Sequence, residues 1–201
     1  AGATVGVAYP GTPSTETMEA FARKEGVYAE WCVNEKVAVE VGLGASAAGA
    51  RVLATMKHVG VNVAADPLFT AAYTGVGGGM VVLAADDPGM YSSQNEQDSH
   101  FYAAAAHLPM MDPADSAEAL AFARDAFALS ERFDVPFMLR STVRVSHTKT
   151  PVEEGGRAAY EPAPYESRPQ KWVMMPAIAK PRRTVQLARD GELAAWAEAW
   201  A

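Results

Sequence analysis

Thiol chemistry is nearly absent from this chain: its 201 residues include one cysteine, Cys32. A disulfide framework and a cysteine-held iron–sulfur or zinc site are therefore excluded. Cys32 reads as a small core residue. Basic charge is also scarce, with 17 Lys and Arg against 24 Asp and Glu and a net charge of −7. That balance, with no basic stripe, argues against a nucleic-acid surface. No stretch approaches the roughly 18 uninterrupted apolar residues of a membrane span. No signal-peptide pattern opens the chain, so a soluble cytoplasmic protein is expected. His100, His107 and His147 lack metal-ligand spacing, and the pair Asp86-Asp87 has no third ligand at a suitable offset. There is no Gly-x-Ser-x-Gly elbow and no recognisable Ser/His/Asp arrangement. Gly75 to Gly79 lacks the G-x-G-x-x-G frame before a helix, so it reads as a turn.

What the chain has is core: 49% of its residues are apolar, enough for one large α/β domain or one domain with a tail. Short β-branched runs alternate with helical ones. Strands are expected over Thr4 to Ala8, Tyr28 to Val33, Arg51 to Met56, Met80 to Ala84, Leu108 to Met111 and Val135 to Leu139. Helices are expected from a Ser14 or Thr15 cap to about Lys24, from Glu35 to Gly49, over Ala64 to Thr74 and over Ala117 to Phe133. This alternation predicts a mainly parallel sheet with helices on both faces. The domain is expected to occupy residues 1–145. Residues 146–201 are rich in proline and charge and read as an extended arm. Within it Trp172 to Met175 is expected to dock on another surface, and Glu192 to Trp200 to form a short amphipathic helix. The chain opens directly on an expected strand, so it is expected to be a piece that begins inside a fold.

The most informative helix starts at Glu35. Asn34 is its predicted N-cap. Val37, Val41, Ala45 and Ala48 form one apolar stripe, and Val39, Leu43, Ser46 and Gly49 nearly complete the circumference. Such a helix is expected to be buried. An acid at its mouth then needs a partner, because an unpaired buried charge is costly. The partner is a protein cation or a ligand. Glu40, about 140° around the helix, is poorly placed to pair with Glu35.

Three loops follow strands at the edge where ligands of open parallel sheets gather. Tyr9-Pro10-Gly11-Thr12-Pro13-Ser14 follows the first strand, and taken alone it is a tight turn with a helix cap. Met56-Lys57-His58-Val59-Gly60 ends the third. Its Lys57 and His58 would meet an anionic substrate, and His58 is suited to proton exchange near neutrality. Asp86 to Asp98 follows the fourth strand and is too polar for a core; Ser92, Ser93, Gln94 and Asn95 offer hydrogen bonds.

Taken together, the Glu35 segment, the Tyr9–Glu16 turn and Met56–Gly60 resemble the alpha subunit of indolepyruvate ferredoxin oxidoreductase, of the 2-oxoacid:ferredoxin oxidoreductase family. The resemblance implies thiamine diphosphate as cofactor and the pyrimidine-binding type of α/β domain. It implies that Glu35 bonds N1′ of the aminopyrimidine and favours the imino tautomer, whose nitrogen takes the thiazolium proton. It places Met56 and Val59 at the cofactor, and Thr12, Lys57, His58 and Asn95 around the substrate. Family members carry roughly one more helix before the first strand. They also hold the diphosphate through Mg²⁺ on a Gly-Asp-Gly element, which this sequence lacks. Mg²⁺ and iron–sulfur clusters are accordingly expected on other domains or subunits, and no metal on this chain. The implied reaction is oxidative decarboxylation of an aryl 2-oxo acid, with coenzyme A capturing the acyl group and ferredoxin taking the electrons. A homo-oligomer is expected, and this chain alone is expected to be inactive. A non-oxidative thiamine diphosphate decarboxylase subunit and a non-catalytic module of the same fold are the alternatives.

Overall fold

The computed structural model describes residues 1–153 and 155–200. Six strands form one sheet: β1 (Val5–Ala8), β2 (Tyr28–Trp31), β3 (Val52–Lys57), β4 (Met80–Asp86), β5 (Met110–Met111) and β6 (Phe137–Thr142). The order is β2-β1-β3-β4-β6-β5 and every pairing is parallel. Parallel neighbours need crossovers, and helices supply them. These are α1 (Thr15–Ala22), α2 (Glu35–Ala47), α3 (His58–Val63), α4 (Ala65–Thr74), α5 (Ser99–Ala106) and α6 (Ser116–Phe133). After β6 come the short α7 (Val143–His147) and α8 (Pro169–Trp172), then the long α9 (Pro176–Trp200). The expected strands are all present.

The continuous apolar run of β4 is buried at all seven positions, as a strand covered on both faces must be. Helix α2 lies on one face. A Cβ on Gly42 would stand 3.1–3.2 Å from the side chains of Met80, Val52 and Val7, so the missing side chain sets how closely helix and sheet approach. Phe21 of α1 covers Gly6 from the opposite face.

Asn34 caps α2, its side chain accepting from Val37 N–H at 2.9 Å. The buried stripe of α2 differs from the expected one: Glu35, Ala38, Val39, Gly42 and Ser46 face inward. Val37, Val41 and Ala45 are half-buried, and Ala48 is exposed. Gly42 and Ser46 are the reason, since only small residues permit this close contact with the sheet. Ser46 donates to the Gly78 carbonyl at 2.5 Å, which ties the end of α2 to the turn before β4.

The C-terminal helix is longer than the sequence pattern suggested, 25 residues with Pro181 inside it. Its anchorage is electrostatic. The last carbonyls of a helix have no partner within it and carry the negative end of its dipole. Arg189 donates to Ala72 O at 2.8 Å, and Arg182 to Tyr73 O at 2.6 Å and Thr74 O at 3.3 Å, so α9 caps α4 with two guanidinium groups. Lys171 donates to Val76 O and to Asp134. Asp134 gathers this cluster, lying 2.7 Å from Lys171, 3.4 Å from Arg182 and 3.8 Å from Arg189. Further along, Trp196 stacks on Trp200 and packs against Phe133 and Phe137. Of the Trp172–Met175 segment expected to dock, Trp172 and Met174 are half-buried, with Lys171 over the Trp172 ring, while Val173 and Met175 stay exposed. Between α7 and α8 the chain runs along the amino-terminal edge of the sheet, where Tyr160 donates to Gly49 O and Arg157 to Glu25 O. At one margin of the sheet, β2 leaves Tyr28, Ala29 and Trp31 exposed.

Asp134→Asn retains an acceptor for Val76 N–H but removes the charge that three cations face. Urea unfolding should show a loss of about 1–2 kcal/mol, screening of this part-exposed group included, with earlier proteolysis within α9.

Candidate functional site

Strand order reverses between β1 and β3, the first chain segment crossing to β2 and later ones running the other way. At such a switch point the carboxyl ends of neighbouring strands leave a crevice. The Thr12 turn leaves β1 and the Lys57–Gly60 segment leaves β3, so two of the three motif loops meet there. The contact is direct: a Cβ on Gly11 would stand 3.2 Å from Cβ of Lys57.

Glu35 enters from α2. Glu35 is buried, with 8% of the residue exposed, and its carboxylate oxygens keep contact with the open crevice. Among the described residues no side chain pairs with its carboxylate, and no hydrogen bond reaches it. Of the two partners the sequence left open, a protein cation is absent among the described residues. The carboxyl lies against Gly60 of α3, where an added Cβ would come within 2.6 Å of Cγ and Oε1 and 2.8 Å of Cδ. Gly60 is therefore the slot in which this carboxylate sits. Met56 is fully buried in the core below, and Val59 is half-buried on α3.

The Thr12 turn is held from within. Ser14 Oγ donates to Gly11 O at 2.6 Å, and Gly11 N–H donates to Thr15 Oγ1 at 2.9 Å. Both hydroxyls expected to cap α1 fold back on Gly11 instead. The Thr12–Pro13 peptide is cis, and Thr12 itself is exposed.

Lys57 and His58 are buried, at 8% and 0% exposure, and both hold the loop after β4. Lys57 Nζ donates to Ser92 O at 2.8 Å and to Ser92 Oγ at 3.3 Å, and lies 3.9 Å from Asp87. The His58 ring Nε2 lies 3.0 Å from Asn95 O, so it is the donor nitrogen there. Its Nδ1 is buried without a partner among the described residues. Asn95 is exposed, its side chain accepting from Gln97. Five of the seven site residues, Glu35, Met56, Lys57, His58 and Val59, thus form one block around the ends of α2 and β3, with Thr12 beside it and Asn95 above it on the loop.

Asp87 organises that loop. Its carboxylate accepts from Tyr91 N–H at 3.1 Å, Ser92 N–H at 2.8 Å, Ser92 Oγ at 3.4 Å and Ser93 Oγ at 2.5 Å. Burial pushes its pKa up, but Ser93, the two N–H groups and Lys57 together outweigh burial and hold it below the usual carboxylate value. Its neighbour Asp86 faces Arg140 at 2.7 Å and Ser99, and Arg140 also reaches Asp112 at 2.9 Å. This second network fixes the root of the loop to β6 and α5. Gly60 and Asp87 escaped sequence reasoning. Gly60 gave no signal beyond its place after the third strand. Asp87 followed by Tyr91, Ser92 and Ser93 is the spacing of a carboxylate collecting donors from its own loop, and that signal was available. No cluster of three metal-ligating side chains occurs among the described residues.

Residues 1–197 match the family described as pyruvate flavodoxin/ferredoxin oxidoreductase, thiamine diphosphate-binding. The chain belongs to that family. Indolepyruvate oxidoreductase subunit IorA of Methanothermobacter thermautotrophicus is 50% identical over 183 residues, 88% of this chain and 29% of that protein. The Archaeoglobus fulgidus subunit of the same name is 46% identical over 198 residues, 94% of this chain and 32% of that protein. This chain thus spans under a third of the length of these curated relatives. A 2-oxoglutarate:ferredoxin oxidoreductase from Magnetococcus marinus superposes with a TM-score of 0.72 over 96% of this chain and 42% of its own, at 17% identity. Benzoylformate decarboxylase from Polynucleobacter necessarius superposes with a TM-score of 0.59 over 79% of this chain and 30% of its own, at 18% identity. At these identities the shared feature is the fold.

A carboxyl group without a protein partner, at the switch point of the sheet, suits the ring nitrogen of an aminopyrimidine, because the two can share one proton in a hydrogen bond with little charge to desolvate. Gly60 leaves the flank of that carboxylate free of side-chain atoms. The residues present therefore fit the pyrimidine end of thiamine diphosphate.

Two outcomes follow from this geometry. Gly60→Ala should lower stability in urea by about 1–3 kcal/mol, since its Cβ would stand 2.6 Å from Cγ of the buried Glu35 and the overpacking outweighs the gain in helix propensity. The same substitution should weaken thiamine diphosphate binding to the complete enzyme at least tenfold by displacing Glu35. Because Asp87 titrates below its unfolded value of about 3.9, its contribution to loop order is complete above that pH and is lost as pH falls through the lower folded value. Hydrogen exchange of residues 88–97 should therefore be flat from pH 7 to 5, corrected for intrinsic rates, and accelerate only below about pH 4.

Proposed function

We propose that this chain is the aminopyrimidine-binding part of a thiamine diphosphate-dependent oxidoreductase that oxidatively decarboxylates aryl 2-oxo acids of the indolepyruvate type. The observation that carries this reading is the buried, unpartnered carboxylate of Glu35 held against Gly60. The IorA names support the aryl substrate class, and the ferredoxin oxidoreductase fold supports ferredoxin as electron acceptor.

When bound, thiamine diphosphate supplies a carbon nucleophile and an electron sink for cleavage of the bond between the keto carbon and the carboxylate. Glu35 is the catalytic residue of this chain: it keeps a proton at N1′ and so makes the opposite exocyclic nitrogen basic. Its enclosure keeps water from competing for that hydrogen bond. Val59 walls the same ring, and Met56, fully buried in the core, supports that wall from below. Thr12 presents its hydroxyl at the mouth of the crevice to the substrate carboxylate, and Asn95 presents its amide from the loop above. Lys57 and His58 form the substrate-side wall by holding that loop. For each 2-oxo acid and coenzyme A consumed, one CO₂, one acyl thioester and one proton are released and two electrons pass to ferredoxin.

The diphosphate with its Mg²⁺, and the iron–sulfur clusters, belong in this reading to other domains or subunits. Tyr9, Trp31, Val33 and Tyr91 are exposed where β1, β2 and β4 end. They offer the apolar surface on which a second α/β domain, from a partner copy in a homo-oligomer, closes the crevice. No helix among the described residues is long and apolar enough to cross a membrane. A cytoplasmic enzyme accords with that and with the single free cysteine.

The test is anaerobic viologen reduction by the complete enzyme with indolepyruvate and coenzyme A. Glu35→Gln should lower kcat by at least a hundredfold while the assembly keeps its cofactor, and normal turnover would overturn the role given to Glu35. The benzoylformate decarboxylase fold favours one rival. Release of CO₂ and aldehyde without dye reduction would install that rival, a non-oxidative decarboxylase. An assembly that never takes up thiamine diphosphate would mark a non-catalytic module.

A further inference from the structure

Lys57 is the one cation in the block of site residues, and the obvious assignment gives it to the carboxylate of the substrate. Its surroundings argue otherwise. The ammonium group is nearly sealed and directs two donors at Ser92, to the backbone oxygen and the hydroxyl. A carboxylate of opposite charge, Asp87, lies 3.9 Å away and is itself buried. Asp87 meanwhile accepts from the N–H groups of Tyr91 and Ser92 and the hydroxyls of Ser92 and Ser93. Ser92 is therefore gripped from two sides, its carbonyl by Lys57 and its N–H by Asp87. Three residues further along the loop, Asn95 is held through its carbonyl by His58. Lys57 and His58 are adjacent in sequence, so the end of β3 clamps the loop at two points three residues apart.

We infer that Asp87 is a positioning residue, and that the Lys57–Asp87 pair is a latch fixing the 88–97 loop over the crevice, with its charge already balanced and not offered to substrate. The inference rests on the proposed function for its link to catalysis, and on geometry alone for the latch. With Lys57 committed to Asp87 and Ser92, the carboxylate of an incoming 2-oxo acid is met by neutral donors, Thr12 on one side and the loop amide of Asn95 on the other. Neutral recognition suits the chemistry. The carboxylate must leave as CO₂, and a strong ion pair would stabilise the ground state more than the transition state. Loop order then sets substrate affinity, since the latch and His58 hold the segment that carries Asn95 beside the crevice.

A double-mutant cycle in the complete enzyme separates the two roles of Lys57. Lys57→Met, Asp87→Asn and the double variant are compared with wild type for KM and kcat on indolepyruvate, thiamine diphosphate affinity, and hydrogen exchange of residues 88–97. The latch predicts that each single variant raises KM about tenfold with kcat within threefold and cofactor affinity unchanged. It also predicts at least tenfold faster exchange in the loop, and a double variant no worse than the worse single one. If Lys57 instead grips the substrate, Asp87→Asn frees a cation and lowers KM while Lys57→Met raises it; KM changes of opposite sign overturn the proposal. Should a single variant fail to assemble, Ser93→Ala, which removes one bond to Asp87, is expected to give the same pattern at smaller amplitude. If wild type is inert on 2-oxo acids, the proposed function fails. The exchange cycle still decides the latch, non-additive acceleration supporting it and unchanged protection overturning it.

Discussion

The close approach of α2 and α3 at the end of the sheet governs the site. A carboxylate can lie this close against a helix only where that helix offers no side chain, and here its neighbour is the hydrogen of Gly60. Much else serves this contact. Asn34 starts α2 at the residue that delivers Glu35, and Gly42 and Ser46 seat the helix low on β1 and β3. Their small size has a packing role, and its result is the depth at which an acid about two to three turns away is buried.

A second layer of order comes from side chains that bind main chain. Lys57 and His58 grip carbonyls of the 88–97 loop, while Arg182 and Arg189 grip carbonyls at the end of α4. In both places a cation offsets unpaired backbone oxygens, and a nearby acid, Asp87 or Asp134, balances the charge. One such cluster lies at the chemical edge of the sheet and the other at its foot, so the loop and the long C-terminal helix are secured by the same physics.

The sheet and the helices α2 and α6 were legible because hydrophobic periodicity and caps agree there. Helix α3 was not, since His58-Val-Gly-Val-Asn-Val63 alternates like a strand and turns helical only because tertiary contacts with α2 and α5 outweigh local preference. Helix α5 carried a readable cap in Asp98, whose side chain accepts from His100 N–H, yet the preceding polar loop obscured it. Helix α9 was shortened by the signal of Pro176 and Pro181, although proline at a helix start is favourable and the arginines that anchor the helix lie between Pro181 and Trp196. In the site, the motif residues were legible by type and by strand end. Their mutual arrangement was not, because whether Lys57 faces ligand or loop depends on where a segment 35 residues away comes to rest.

The two margins of the sheet are unlike. Beyond β6 the sheet ends in the two-residue β5, with the aromatic side of α9 packed nearby on Phe137. At the other margin β2 keeps an open row of backbone groups, with Tyr28, Ala29 and Trp31 uncovered. Growth of this sheet is thus polar: any strand joining it by main-chain pairing joins beside β2, which lies next to the strand that carries the Thr12 turn. An added strand there would lengthen the crevice wall, so quaternary structure and the width of the site share one boundary.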